Sequence, residues 1–208
     1  MLARAAAEPR AIIIGIDANA AGMAESSRRA ARGRSGRGAT NAIFLAEAAE
    51  ALPGQLAGTA SLVAITMPWG SLLRGVVGLD AVALRGVASI VAPGGHVELL
   101  VSVSLADRVE GIAILDRSAE AGIADAWRSV GLELAAMRPA TVEDLRVTRS
   151  SWARRLGDRP VWRLDFRRHR RAAASKRSFR LTGTIAESTL GAGPSRGAPR
   201  AGEQDGRH

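Results

Sequence analysis

The sequence predicts a doubly wound α/β fold with a mostly parallel sheet, and three observations carry that expectation. Short runs rich in β-branched residues, such as Ala11–Ile16 and Ser61–Met67, stay apolar without alternation, as buried parallel strands do. Segments of helical spacing separate them, so strand and helix alternate from Ala11 to Met137. Glycine and proline punctuate the joints, as at Pro93-Gly94-Gly95.

Taken in order, Leu2–Ala7 reads as the end of a helix stopped near Pro9. Ala11–Ile16 is the first strand, buried and parallel by its composition, and Ala20–Arg32 is a helix. Ala42–Leu45 is the next strand, running into a short acidic helix, Glu47–Leu52, that Pro53 breaks. Ser61–Met67 is a strand, Leu72–Val77 a helix and Leu79–Val91 an amphipathic helix. His96–Ser104 is a strand, Ala119–Val130 a helix closing at Gly131, and Leu132–Met137 a strand. Beyond Thr148, Arg159–Arg167 alternates in the manner of an edge strand. After His169 arginine, alanine, glycine, serine and proline dominate without periodicity, although Lys176–Thr184 could form one more strand. The expected organisation is a domain over residues 1–168 and a basic, disordered tail over 169–208.

At 208 residues the chain can bury a sizeable core. It has no cysteine, which excludes disulfides and thiolate metal sites, and its three histidines are too dispersed for a metal centre. No apolar run reaches membrane-spanning length and no secretory signal is evident, so a reducing, cytoplasmic setting is expected. The net charge is +9, and residues 149–180 alone carry a net +10. The rest of the chain is therefore near neutral. Such a block means either a polyanionic partner or a solvated tail.

Three motifs bear on chemistry. Met67-Pro68-Trp69-Gly70-Ser71 places an aromatic ring at the carboxyl end of a strand, the edge where open α/β sheets bind ligands. Asp17 closes the first strand, as a ribose acceptor or a cap of the following helix. Arg28, Arg29, Arg32, Arg34 and Arg37 run through a glycine-rich stretch without an acid, a pattern for docking on phosphates or for a solvated loop. No nucleophile–base pair, P-loop or G-x-G-x-x-G turn after a strand is present.

An ordered set of segments resembles one family. Ile14-Gly15-Ile16-Asp17, the Arg28–Gly38 basic loop, Asn41-Ala42-Ile43-Phe44 and Ala48-Ala49-Glu50-Ala51-Leu52-Pro53 come first. Pro68-Trp69-Gly70-Ser71-Leu72-Leu73 and Ser150-Ser151-Trp152-Ala153-Arg154-Arg155-Leu156 follow. Together they are similar to the 16S rRNA adenine-N1 methyltransferases of the kanamycin–apramycin resistance type, over about residues 10–167. The resemblance implies a class I, Rossmann-like methyltransferase fold and S-adenosylmethionine as cofactor. Asp17 would hold the cofactor ribose; Ala49, Glu50 and Leu52 would line its adenine; Thr66, Ser71 and Ser150 would border the methionine end. Trp69 and Trp152 resemble the two rings that sandwich the target adenine, and Arg155 an arginine bracing the flipped nucleotide. Arg28, Arg29, Arg32, Arg34 and Arg37, with Arg154 and Arg159, would face the RNA. The implied partner is 16S rRNA in the 30S subunit, bound by a monomer, with no membrane and no metal. Trp127 and Trp162 are expected in the core.

The chemistry this implies is self-consistent. Adenine N1 is reached only by extruding the base, which costs a few kcal/mol, and ring stacking returns about 1–3 kcal/mol per contact. N1 carries its own lone pair, so no general base is needed. The family's upstream strand and glycine-rich cofactor turn have no counterpart here, so a gap beside Ala11–Ile16 and weak cofactor binding are expected. An inactive RNA-binding remnant and a small-molecule methyltransferase or dinucleotide enzyme are the alternative readings.

Overall fold

The charged and apolar faces of one sheet organise the fold. The computed structural model describes residues 1–32, 39–112, 114–148 and 159–170, all within the unit Met1–Ala173. Strands β3 (Ala60–Thr66), β4 (Val91–Val101), β5 (Glu133–Pro139) and β6 (Trp162–Arg167) form a four-stranded sheet in the order β3-β4-β6-β5. β3 and β4 are parallel, while β6 runs against both β4 and β5. Three of these strands therefore share one direction, and the sheet is mixed but mostly parallel.

Two expectations change here. β6 is interior rather than an edge strand. One of its faces supplies Leu164 and Phe166, both fully buried, while the other carries Arg163 and Asp165. The alternation is real, but its polar face is covered by ion pairs: Arg163 meets Asp165, Glu98 and Asp144. The Pro93-Gly94-Gly95 turn does not precede β4 but lies inside it. Ala60 pairs with Val91 and Leu62 with His96, so Ala92–Gly95 bulges out opposite Ser61.

The core lies on the apolar face. Helices α3 (Gly70–Val76), α4 (Ala81–Ile90) and α5 (Glu120–Ser129) supply Leu73, Val76, Leu84, Val87, Ile123 and Trp127. These join Val97, Leu99, Val101, Leu164 and Phe166 from the sheet in one cluster. Trp127 stacks on Phe166 with ring centroids 4.0 Å apart. Its Nε1 donates to the Val76 carbonyl at 2.9 Å, which satisfies its one polar atom. Trp162 packs at the cluster's margin. Both tryptophans serve the core, as expected. Helix α6 (Val142–Thr148) was not anticipated; Thr141 and Asp144 cap it reciprocally, Asp144 accepting from the Thr141 backbone N–H at 2.7 Å.

The N-terminal strands form a second sheet. β1 (Ile13–Ile16) and β2 (Ala42–Leu45) pair in parallel, flanked in sequence by α1 (Leu2–Ala7) and α2 (Ala20–Ala31). β1 was expected to be buried. It is only partly covered, with Ile14 and Ile43 on the surface. Among the described residues β2 is its single strand neighbour, so one edge of β1 is unpaired. The two sheets are not hydrogen-bonded to each other among the described residues. Asn41 ties the small sheet to α1, with Nδ2 within hydrogen-bond distance of the carbonyls of Ala5, Glu8 and Ala11 at 3.1, 3.0 and 2.8 Å. Most of the expected tail, with the strand at Lys176–Thr184, lies outside the described residues.

Candidate active site

The corner after β3 is strained and held. Met67 continues the parallel ladder, its N–H donating to the Leu100 carbonyl at 2.8 Å. Yet its φ is +50°, a left-handed conformation that a non-glycine residue adopts at a cost of about 1 kcal/mol or more. Pro68 is buried, Trp69 is extended at the N-cap of α3, and Gly70 has φ +59°, where the absence of Cβ removes the penalty. This geometry turns the chain sharply enough to leave Trp69 52% exposed. An exposed ring on a strained strand end is a poor choice for packing and a good one for stacking a ligand.

Behind the ring lies a small cavity lined by Met67, Pro68, Trp69, Leu73, Ser102, Asp107 and Arg159. The Asp107 side chain is only 3% exposed and forms an ion pair with Arg159. Its Oδ2 also accepts from the Ser104 N–H at 2.7 Å and the Ser104 hydroxyl at 3.1 Å, capping the turn Leu105–Asp107. Arg159, expected to face RNA, is thus anchored inward beside the corner. Ser102 and Asp107 had no place among the expected site residues. Ser104-Leu105-Ala106-Asp107 carries a readable capping pattern, but nothing local pairs Asp107 with an arginine 52 positions away.

The cofactor-side residues sit at strand ends. Asp17 follows β1 and accepts the Asn19 N–H at 2.8 Å through Oδ1. Asn19, not Asp17, is the N-cap of α2, accepting from Gly22 N at 3.2 Å. The second carboxylate oxygen of Asp17 therefore remains an acceptor at the surface, which suits a vicinal diol. Ala49 and Glu50 lie in a 3-10 turn after β2, and Leu52 closes it. This turn is pressed onto α4 at Gly86, where a Cβ would fall 1.7 Å from the Ala49 carbonyl oxygen; only glycine permits the approach. Thr66 ends β3 and Ser71 opens α3, both exposed. A surface carboxylate at a strand end and a firmly backed turn fit the nucleoside half of S-adenosylmethionine.

On the basic side, Arg28 and Arg29 occupy the last turn of α2 and Arg32 caps it, all exposed. Arg28 also pairs with Glu25 at 3.1 Å, and cations at a helix C-terminus complement its dipole. Arg34, Arg37, Ser150, Trp152, Arg154 and Arg155 lie outside the described residues. No group of metal-ligating side chains occurs among the described residues.

A charged cluster fastens α6 beside this region. Asp144, almost buried, receives Arg138 through two hydrogen bonds of 2.7 and 3.0 Å, both the N–H and the hydroxyl of Thr141, and Arg163 at 3.0 Å. Arg138 foremost, with Thr141 and Arg163, holds the Asp144 carboxyl well below the usual carboxylate range. Arg163 is pushed further toward its charged form, chiefly by Asp165.

A mostly parallel α/β sheet with an acidic strand end and an aromatic strand-end corner suits a class I, S-adenosylmethionine-dependent methyltransferase, the class to which the similar solved structures belong. A family model described as 16S rRNA (adenine(1408)-N(1))-methyltransferase matches residues 1–163, and the chain belongs to this family. The enzyme of that name from Streptoalloteichus tenebrarius is 32% identical over 153 residues, covering 71% of this chain and 70% of the relative. A tryptophan-to-alanine mutant of the enzyme of that name from Catenulisporales acidiphilia, solved with cosubstrate SAM, superposes with a TM-score of 0.71. It is 31% identical, with 80% of this chain and 79% of that one covered. The structure of the 16S rRNA methyltransferase KamB is similar at TM-score 0.71 and 28% identity, covering 80% of this chain and 81% of that one.

Proposed function

We propose that this chain transfers a methyl group from S-adenosylmethionine to N1 of adenine 1408 in 16S rRNA and so confers aminoglycoside resistance. The observation that carries the reading is the half-exposed Trp69 ring on its strained corner at the carboxyl end of β3. The target adenine, turned out of its helix, stacks on Trp69, with Trp152 as the second ring and Arg155 on the nucleotide backbone. Asp17 accepts from the cofactor's ribose hydroxyls, the Ala49–Leu52 turn borders its adenine, and Thr66, Ser71 and Ser150 flank its methionine end. Bound there, the cofactor supplies an electrophilic methyl on its sulfonium. N1 would attack the methyl carbon with its own lone pair as the carbon–sulfur bond breaks and a neutral thioether departs, so the protein's residues need only align the two atoms and exclude water. The methylated base leaves as a cation, which an indole face also favours. Arg28, Arg29, Arg32, Arg34, Arg37 and Arg154 engage phosphates of the 30S subunit, on which the chain acts as a cytoplasmic monomer.

The test is incubation with 30S subunits and labelled S-adenosylmethionine, with the modified position mapped by primer extension. A stop at adenine 1408 is expected, and Trp69→Ala lowers the rate about 10–100-fold, the value of one stacked ring. Full activity of Trp69→Ala would remove the stacking role. Salt-dependent RNA binding without methyl transfer would leave an RNA-binding protein instead.

A further inference from the structure

The small cavity behind Trp69 has polar walls that the proposed reaction does not use. Ser102 is 9% exposed, and its Oγ is buried without a hydrogen-bond partner among the described residues. The Nε of Arg159 is likewise buried and unpartnered, although one terminal nitrogen of the same guanidinium, Nη2, reaches Asp107. Both atoms belong to residues lining one cavity of about 10 Å³, with Asp107 as a third polar wall. Two orphaned polar atoms on residues that line one cavity are costly unless something joins them.

That volume is the room of a single water, and a buried water needs two to four polar partners. The three walls meet this requirement in complementary form. The Nε–H of Arg159 donates, the Asp107 carboxylate accepts, and the Ser102 hydroxyl does either. The register places this site directly behind the strained corner. Thr66 of β3 pairs with Leu100 of β4, so Met67–Pro68 and Val101–Ser102 leave adjacent parallel strands side by side. A left-handed Met67 persists only where its surroundings over-determine it. The Leu100 carbonyl supplies one such tie to Met67 N.

We propose that Ser102, Asp107 and Arg159 form a buried water site that locks the Met67–Gly70 corner, making Ser102 and Arg159 positioning residues for the Trp69 ring. The inference rests on the stacking role assigned to Trp69 above. It assigns Arg159 a task behind the ring, where its backbone also leads directly into β6 through Pro160 and Val161. The ring's pose is then tied to three chain segments: the ends of β3 and β4, the Leu105–Asp107 turn, and the approach to β6.

A crystal structure of the full chain is the first test. Density for one water within hydrogen-bond distance of Ser102 Oγ and Arg159 Nε is expected; a dry cavity overturns the proposal. Two variants provide a second test, in 30S methylation. Ser102→Ala removes one partner, and Arg159→Lys keeps the charge opposite Asp107 but removes the Nε donor. Each should lower kcat about 10-fold with KM for the subunit little changed, and the double variant should fall little further because the partners share one water. Ser102→Ala that melts at a higher temperature with full kcat would show a true orphan and sink the idea. Arg159→Lys that raises KM alone would make Arg159 an RNA contact instead. Full activity of Trp69→Ala is a separate failure: it would remove the stacking role, while the water density would still stand or fall by itself.

Discussion

The two sheets are built from similar residues and have opposite fates. β1 and β2 are as apolar as β3 and β4, yet the continuous buried cluster draws none of its members from them. The four-stranded sheet is covered by three helices on its apolar face and fastened by ion pairs on the other. The two-stranded sheet has both outer edges unpaired among the described strands, and surface isoleucines. Apolar composition therefore makes a strand, but neighbours decide whether it becomes core. The functional consequence follows the same division. Trp69 and its supporting cavity grow from the rigid sheet, while Asp17 and the Ala49–Leu52 turn follow the weaker one, steadied mainly by the contact at Gly86.

The largest effect that would test this contrast is Trp127→Ala. The ring is fully buried, stacks on Phe166 and donates to Val76, so its loss should cost about 3–5 kcal/mol in chemical denaturation. Next is Asp144→Ala, which removes the carboxylate shared by Arg138 and Arg163; Arg163 keeps Asp165 and Glu98, so the loss should be about 1–2 kcal/mol. The pH dependence has a definite sign. The folded Asp144 carboxyl titrates below its unfolded value, so its contribution is complete above about pH 5 and fades as the pH falls. Asp144→Asn should flatten the acid limb of the stability curve. An unchanged limb would show that the cluster does not fasten α6.

Amide exchange reads the contrast directly. Protection at Ile13–Ile16 and Ala42–Leu45 should be at least about 100-fold lower than at Val97–Val101 and Leu164–Phe166. Equal protection would mean that the two sheets open as one unit. Asn41→Ala should widen the difference by about 1–2 kcal/mol, because its amide is the tie between α1 and the small sheet.

The legibility of this chain in its sequence follows the same physical lines. Elements set by local pattern were readable: Ala42–Leu45 coincides with β2, and the two core tryptophans stand where an aromatic amid helix or strand periodicity should. The Trp69 corner was readable too, because proline and glycine on either side of a ring mark a turn that core packing does not need. What depended on distant partners was not. Arg163 and Asp165 looked like a solvated edge because Glu98 and Asp144 lie far away in sequence. Asp107 and Ser102 carry no motif that names Arg159. The exposure of Ile14 and Ile43 was invisible for a related reason, since burial belongs to a strand's neighbours and not to the strand.

The smallest effect is the most discriminating, because it applies similar chemistry to both sheets. Val97→Thr puts a hydroxyl into the sealed face of β4, where nothing is placed to receive it, and should cost about 1–3 kcal/mol. Ile43→Thr also replaces a β-branched hydrocarbon by threonine, but on β2 at 46% exposure. There water satisfies the hydroxyl and the strand propensity is kept, so the change should stay within about 0.5 kcal/mol. Both are read from urea midpoints at constant slope. If Ile43→Thr costs as much as Val97→Thr, the small sheet is covered in solution by something that makes it core.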